Sequence, residues 1–111
     1  MKYMVYDPGG NKTALVIGDK FKDKKVINDL ILSLDSSIEQ VGFLSTSSYC
    51  LSMTGGEFCG NATRCSASYY LYGKPGTIDI VVSGTNKVLK AGIDSLGKAF
   101  SQIPHTFRKY C

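Results

Sequence analysis

The sequence predicts an α+β domain in which a mostly antiparallel, curved sheet wraps around a central helix. Three observations lead there. Short runs of β-branched and apolar residues recur between strong turn signals. One stretch, 24–34, carries apolar residues at helical spacing. A second helical stretch, 59–72, is small and weakly polar around its first half, with Arg64 the exception. A helix of that composition suits burial inside a curved sheet better than a place on the surface.

The elements follow in order. Residues 1–6 alternate as a strand, with Tyr3 and Val5 on one side, and Asp7-Pro8-Gly9-Gly10-Asn11 is a dense turn signal. Residues 13–17 form a β-branched strand that Gly18 ends. In 24–34, Val26, Ile27, Leu30, Ile31 and Leu34 make an apolar stripe, which Asp35-Ser36-Ser37 stops. Residues 41–45 and 49–53 read as two strands joined by a Ser/Thr-rich turn. Thr54-Gly55-Gly56-Glu57-Phe58 is a loop into the second helix, and Gly73-Lys74-Pro75-Gly76 closes that helix with glycine and then proline. Strands at 77–82, 87–93 and 98–103 follow, with hairpin turns at Gly84-Thr85-Asn86 and Asp94-Ser95-Leu96-Gly97. Residues 104–111 are a basic tail without a pattern.

At 111 residues the chain reads as a single domain, 1–111, able to build one modest core. Such a domain has little room for a deep enclosed site, which favours a site shared with a neighbour. The net charge is +4, and four lysines, Lys20, Lys22, Lys24 and Lys25, sit close together. Asp19 and Asp23 interrupt them, and no arginine cluster or aromatic platform accompanies them. They read as a solvated loop, not a nucleic-acid patch. No run of about 18 apolar residues exists to span a membrane.

The four cysteines are Cys50, Cys59, Cys65 and Cys111, and His105 is the single histidine. No paired spacing supports a zinc finger. The density is too low for a disulfide scaffold, and no signal segment is evident, so reduced thiols in the cytoplasm are expected. Without such a signal, the two N-x-T sequons at Asn11 and Asn61 are read as chance matches.

The chemistry concentrates at Cys59-Gly60-Asn61, at the start of the second helix. The first turn of a helix has four N–H groups without intrahelical partners, and they carry partial positive charge. A bound carboxylate or a thiolate is stabilised there. Gly60 leaves the backbone uncovered for close approach, and Asn61 adds an amide. The arrangement suits the binding of an α-carboxylate with a thiolate beside the α-carbon. The competing reading is that Cys59 is a small buried apolar residue in an interaction domain. A Cys-His hydrolase built on Cys59 and His105 is disfavoured, since His105 has no evident orienting carboxylate.

The run Gly55-Gly56-Glu57-Phe58-Cys59-Gly60-Asn61-Ala62-Thr63-Arg64-Cys65 closely resembles the first-cysteine motif of the diaminopimelate epimerase superfamily. These are cofactor-independent amino-acid racemases and epimerases, with proline racemase and the phenazine-pathway isomerase as relatives. Tyr6-Asp7-Pro8-Gly9-Gly10-Asn11 resembles their N-terminal strand and Gly-Asn turn. The Gly-Gly-Glu-Phe before the cysteine, and Lys12-Thr13 after Asn11, look more like the histidine-racemase branch.

The resemblance implies two similar domains, each a sheet around a central helix, whose helix N-termini face one substrate. Each supplies a cysteine; one removes the α-proton and the other returns a proton from the opposite side, without pyridoxal phosphate, metal or other cofactor. Carried over, Cys59 is one acid/base, Gly60 and Asn61 bind the α-carboxylate, and Asn11 hydrogen-bonds the substrate. The substrate would be an amino acid, such as diaminopimelate, histidine or similar.

This chain matches only the first of those domains. The second acid/base would come from a second domain or from a homodimer; failing both, the chain would bind an amino acid without turnover. Arg64 and Cys65 are expected more than a turn below the site. Cys65 and Cys50 are expected in the core, and Tyr69, Tyr70 and Tyr72 are expected to pack, not to recognise ligand.

Overall fold

The computed structural model describes residues 2–7 and 10–104. Its elements are β1 (Lys2–Tyr6), β2 (Thr13–Ile17), α1 (Lys24–Leu34), β3 (Gln40–Leu44), β4 (Cys50–Met53), α2 (Gly60–Tyr70), β5 (Gly76–Val82), β6 (Val88–Ile93) and β7 (Ala99–Ser101). The strands form one sheet in the order β1-β2-β3-β4-β5-β6-β7.

Pairing is antiparallel for β1/β2, β3/β4, β5/β6 and β6/β7, and parallel for β2/β3 and β4/β5. A parallel neighbour needs a crossover, and each parallel pair here has one: α1 joins β2 to β3, and α2 joins β4 to β5. The expected sheet, mostly antiparallel and wrapped around the second helix, is therefore present. α2 touches every strand from β2 to β7, which requires the sheet to curl around it.

Two apolar clusters follow from this. The inner one packs Ala62, Cys65 and Ala67 of α2 against Leu15, Leu44, Leu51, Met53, Ile78, Ile80, Val82, Leu89 and Ala91. The outer one places Ile31 of α1 with Ala14, Val16, Val41 and Phe43. Strands β2 and β3 lie between the helices and are buried on both faces, so they read as apolar runs. By contrast β5 alternates, with Ile78, Ile80 and Val82 inward and Thr77, Asp79 and Val81 exposed.

α1 occupies the expected residues but faces the sheet differently. Asp23 caps it by accepting from the Val26 N–H at 3.2 Å. Ile31 is buried and Ile27 half-buried, but Val26, Leu30 and Leu34 are exposed. The helix rests on one ridge, and that ridge includes polar Asn28. The Asn28 side-chain oxygen accepts from the Thr54 hydroxyl at 3.1 Å. The lysines beside it are solvated as expected: Lys25 pairs with Asp29 at 2.7 Å, and Lys24 lies 5.9 Å from the centre of the Phe43 ring. No helix among the described residues is long and apolar enough to cross a membrane.

The end of the sheet that carries the β3–β4 turn is stapled by Asp19. Its carboxylate accepts from the Ser45 hydroxyl (3.0 Å), the Thr46 N–H (3.0 Å) and hydroxyl (2.7 Å), and the Ser47 N–H (3.0 Å). These bonds, that of Thr46 foremost, lower its pKa from 3.8 to about 2. A carboxyl depressed by folding stabilises the native state above its ordinary pKa, and that contribution is lost as pH falls through the folded value. Asp19→Ala should therefore lower the thermal midpoint at neutral pH. The difference from the parent should shrink as pH falls below about 4 and vanish near 2. Midpoints measured for both proteins across that range would expose a gap that does not depend on pH.

Tyr70 anchors the far end of α2 to the same turn, its hydroxyl donating to the Ser45 carbonyl at 2.6 Å, so it packs as expected. Tyr72, in contrast, follows the helix in the left-handed region (φ 54°) and is exposed.

Candidate functional site

The strand registers bring the sequence-predicted residues to one end of the sheet. Met53 at the end of β4 pairs with Gly42 in the middle of β3, so β4 ends toward the start of β3, and Thr13 at the start of β2 pairs with Gln40 and Tyr6. The β1–β2 turn holding Asn11, the loop from β4 into α2, and the β5–β6 turn therefore share that end. The β3–β4 turn lies at the other.

The loop into α2 is tied within itself. The Gly56 N–H donates to the Met53 carbonyl at 3.0 Å, and the Glu57 carboxylate accepts from the Gly55 N–H at 3.1 Å. Gly56 has φ 75°, a backbone conformation that an L side chain resists.

Cys59 is the N-cap of α2, with extended backbone (φ −134°, ψ 110°). Its Sγ accepts from the Ala62 N–H at 3.2 Å, and its carbonyl accepts from the Thr63 N–H at 3.0 Å and hydroxyl at 2.7 Å. Gly60 opens the helix, half-buried Asn61 follows, and the first turn carries no acidic residue to offset its partial positive charge.

Cys59 is disulfide-bonded in this structure, and its sulfur is buried, whereas Cys50 and Cys65 are free. The expectation of reduced thiols thus fails at Cys59. Nothing in the cysteine spacing signals a bridge, because sequence alone does not fix connectivity. Cys111 and His105 lie outside the described residues.

Asn11 sits in the left-handed region (φ 57°), which asparagine tolerates better than most residues. Its carbonyl accepts from the Thr13 hydroxyl at 2.7 Å, and Gly10 donates its N–H to Asp7 at 3.1 Å. The turn therefore fixes the backbone of Asn11 from both sides.

Arg64 departs from expectation. Its guanidinium lies 3.9 Å from where a Cβ on Gly60 would stand, so it returns to the first turn of α2. Helical side chains lean toward the N-terminus, and a long one covers the turn before its own. That rule, applied to the sequence, would have found it. Arg64 also lines a small cleft with Tyr6, Asp7, Cys65, Ser68 and Ala99.

Cys65 behaves as the expected core residue. Burial above all pushes its thiol up to about 11, against the weaker pull of Arg64 and a hydrogen bond with Thr13. It is a neutral thiol at physiological pH. Cys50 is half-buried, and its N–H donates to the Tyr70 hydroxyl at 3.3 Å.

A family model described as the histidine racemase CntK N-terminal domain matches residues 1–105. The chain is 33% identical over 105 residues to a histidine racemase of Fusobacterium nucleatum subsp. nucleatum, covering 87% of this chain and 39% of that protein. A second strain of the same subspecies has one that is 30% identical over 105 residues, with the same coverage of 87% and 39%. The histidine racemase of Staphylococcus aureus (strain Mu50) is 29% identical over 121 residues, covering 97% of this chain and 44% of the relative. The chain thus spans about two fifths of the length of these relatives. It belongs to the histidine racemase CntK N-terminal domain family.

Proposed function

We propose that this chain supplies one half of the active site of a cofactor-independent amino-acid racemase, with histidine the first substrate to test. The observation that carries the reading is the seating of Cys59. Its sulfur sits on the N-terminus of α2 and accepts a backbone N–H, an environment that favours a thiolate.

In the reduced chain, the Cys59 thiolate takes the α-proton and becomes a thiol. The electron pair left on the α-carbon delocalises into the substrate carboxylate. The N–H groups of the first α2 turn, with Asn61, bind that carboxylate where negative charge grows. Asn11, at the same end of the sheet, holds the substrate by hydrogen bonding. A proton returned to the opposite face completes inversion, and a second acid from another domain or a second copy supplies it. Only the reduced form can act, because a disulfide sulfur has no lone thiolate to accept a proton.

The test is α-proton exchange in D₂O over a panel of amino acids, followed by NMR, with the reduced chain. Exchange confined to histidine or a close relative supports the reading. Exchange without inversion would identify a half-site that lacks its second acid. No exchange, with amino acids still bound, would favour a binding half and sink the catalytic reading for the isolated chain.

Gly60→Ala separates chemistry from folding. A Cβ there would meet the Phe58 ring at 3.8 Å and Arg64 at 3.9 Å, both ordinary contacts. Alanine is favoured over glycine in helices by up to about 1 kcal/mol, so the thermal midpoint should hold or rise. The added methyl covers the N–H groups a carboxylate must approach. Exchange should fall about tenfold or more, corresponding to roughly one charge-assisted hydrogen bond. A variant that exchanges as fast as the parent would remove Gly60 from the binding site.

A further inference from the structure

The β5–β6 turn is legible in the sequence only as a hairpin, but it bears directly on the loop that delivers Cys59. The Ser83 hydroxyl donates to the Glu57 carbonyl at 2.6 Å and accepts from the Met53 N–H at 2.9 Å. One side chain thus joins the end of β4 to the far side of the loop that follows it. The Ser83 N–H donates to the Leu51 carbonyl at 3.0 Å, which fixes Ser83 to the sheet. Gly84, with φ 86°, lies against the next peptide. A Cβ on it would stand 2.2 Å from the Phe58 nitrogen and 2.8 Å from the Glu57 carbonyl carbon. Contact that close is possible only for glycine. Phe58 is buried in the inner core, so the peptide preceding Cys59 is held between the core and this turn.

We propose that the Ser83–Gly84 turn is the positioning element for Cys59, holding its sulfur in line with the N–H groups at the start of α2. This rests on the reading of Cys59 as the reacting thiol. Ser83 and Gly84 touch neither substrate nor reacting atoms; they act through the Glu57–Phe58 peptide. A thiol at a helix N-terminus loses acidity when it drifts from the N–H groups, since the helix-end effect falls off within one turn. Among the described residues, the ionisable groups beside the site include Glu57, tied to Gly55, Arg64, which returns to Gly60, and Tyr6 and Asp7, which line a cleft with Arg64. Changing Ser83 replaces none of these.

The hydroxyl is the handle for a test, because Gly84→Ala would drive a Cβ into backbone. Ser83→Ala removes both bonds, and Ser83→Thr keeps the hydroxyl. The reduced chain is alkylated with iodoacetamide from neutral to alkaline pH, and the labelling rates of Cys59 and Cys65, both buried, are read by peptide mass spectrometry. In Ser83→Ala the Cys59 profile should move to higher pH by about one unit, a tenfold loss of neutral-pH reactivity. Cys65 should be unchanged, and Ser83→Thr should restore the parent profile. A Cys59 profile that stays put in Ser83→Ala overturns the inference. So does a joint acceleration of Cys59 and Cys65, which would report general loosening. Labelling does not need substrate, so a chain that exchanges no α-proton would count against the racemase reading and leave this result independent.

Discussion

In the reduced chain, Cys59→Ser is expected to lower amino-acid α-proton exchange by about a thousandfold, the middle of the range that general acid–base groups contribute. In the proposed mechanism the sulfur is the base. It sits on the helix N-terminus with the Ala62 N–H 3.2 Å away, and the neighbouring thiol, Cys65, is held neutral by burial. A serine hydroxyl there would keep the geometry and lose the acidity, because an alcohol does not ionise near neutral pH.

The same substitution carries its own folding control. Serine is among the preferred N-cap residues, and its oxygen can accept the hydrogen bond that Cys59 now takes. Thermal unfolding under reducing conditions should therefore match or slightly exceed that of the parent. Loss of exchange with an unchanged midpoint assigns the effect to chemistry. Exchange retained within tenfold would reassign the base and leave Cys59 as a helix cap alone.

The placement of Cys59, Gly60 and Asn61 at a helix start is legible in the sequence, and a helix of small residues has few places to go. α2 ends near the Gly73-Lys74-Pro75 signal, where the Gly73 N–H returns to the Ser68 carbonyl at 3.0 Å with φ 74°. What escapes a sequence reading depends on tertiary contact. The parallel pairings of β2 with β3 and β4 with β5 are marked in the sequence only by the helix between each pair, which permits a crossover without fixing which strands become neighbours. The buried face of α1 differs from its apolar stripe: Val26, Leu30 and Leu34 are exposed, whereas Leu32, outside the stripe, packs on the outer cluster with Ile27 and Ile31. Asn28, half-buried and bonded to Thr54, looks like a surface residue in one dimension. Ser83 and Gly84 read as turn punctuation, although their partners lie some 26 residues upstream.

A large loss of stability is expected from Gly92→Ala, which should cost about 3 kcal/mol. Gly92 lies in β6 opposite Thr77 of β5 and Phe100 of β7. A Cβ there would stand 2.1 Å from the Gly76 carbonyl oxygen, 3.0 Å from the Thr77 Cα and 2.9 Å from the Phe100 ring. The ring could swing away, but the two backbone atoms are fixed by the β5–β6 ladder. Alanine therefore forces the strands apart where the sheet curls around α2, since both Ile93 and Ala91 flanking the site are buried in the core. A change of that size should lower the thermal midpoint by roughly 10–20 °C for a domain near this length. In urea the transition should move to lower concentration with its slope unchanged. The β5–β6 hairpin also carries the Ser83–Gly84 turn, so partial opening at Gly92 should raise Cys59 and Cys65 labelling together. That joint rise separates it from Ser83→Ala, in which Cys59 alone responds. A Gly92→Ala chain as stable as the parent would mean that the sheet can relax at this point, and that its curvature does not depend on the close approach of β5 and β6.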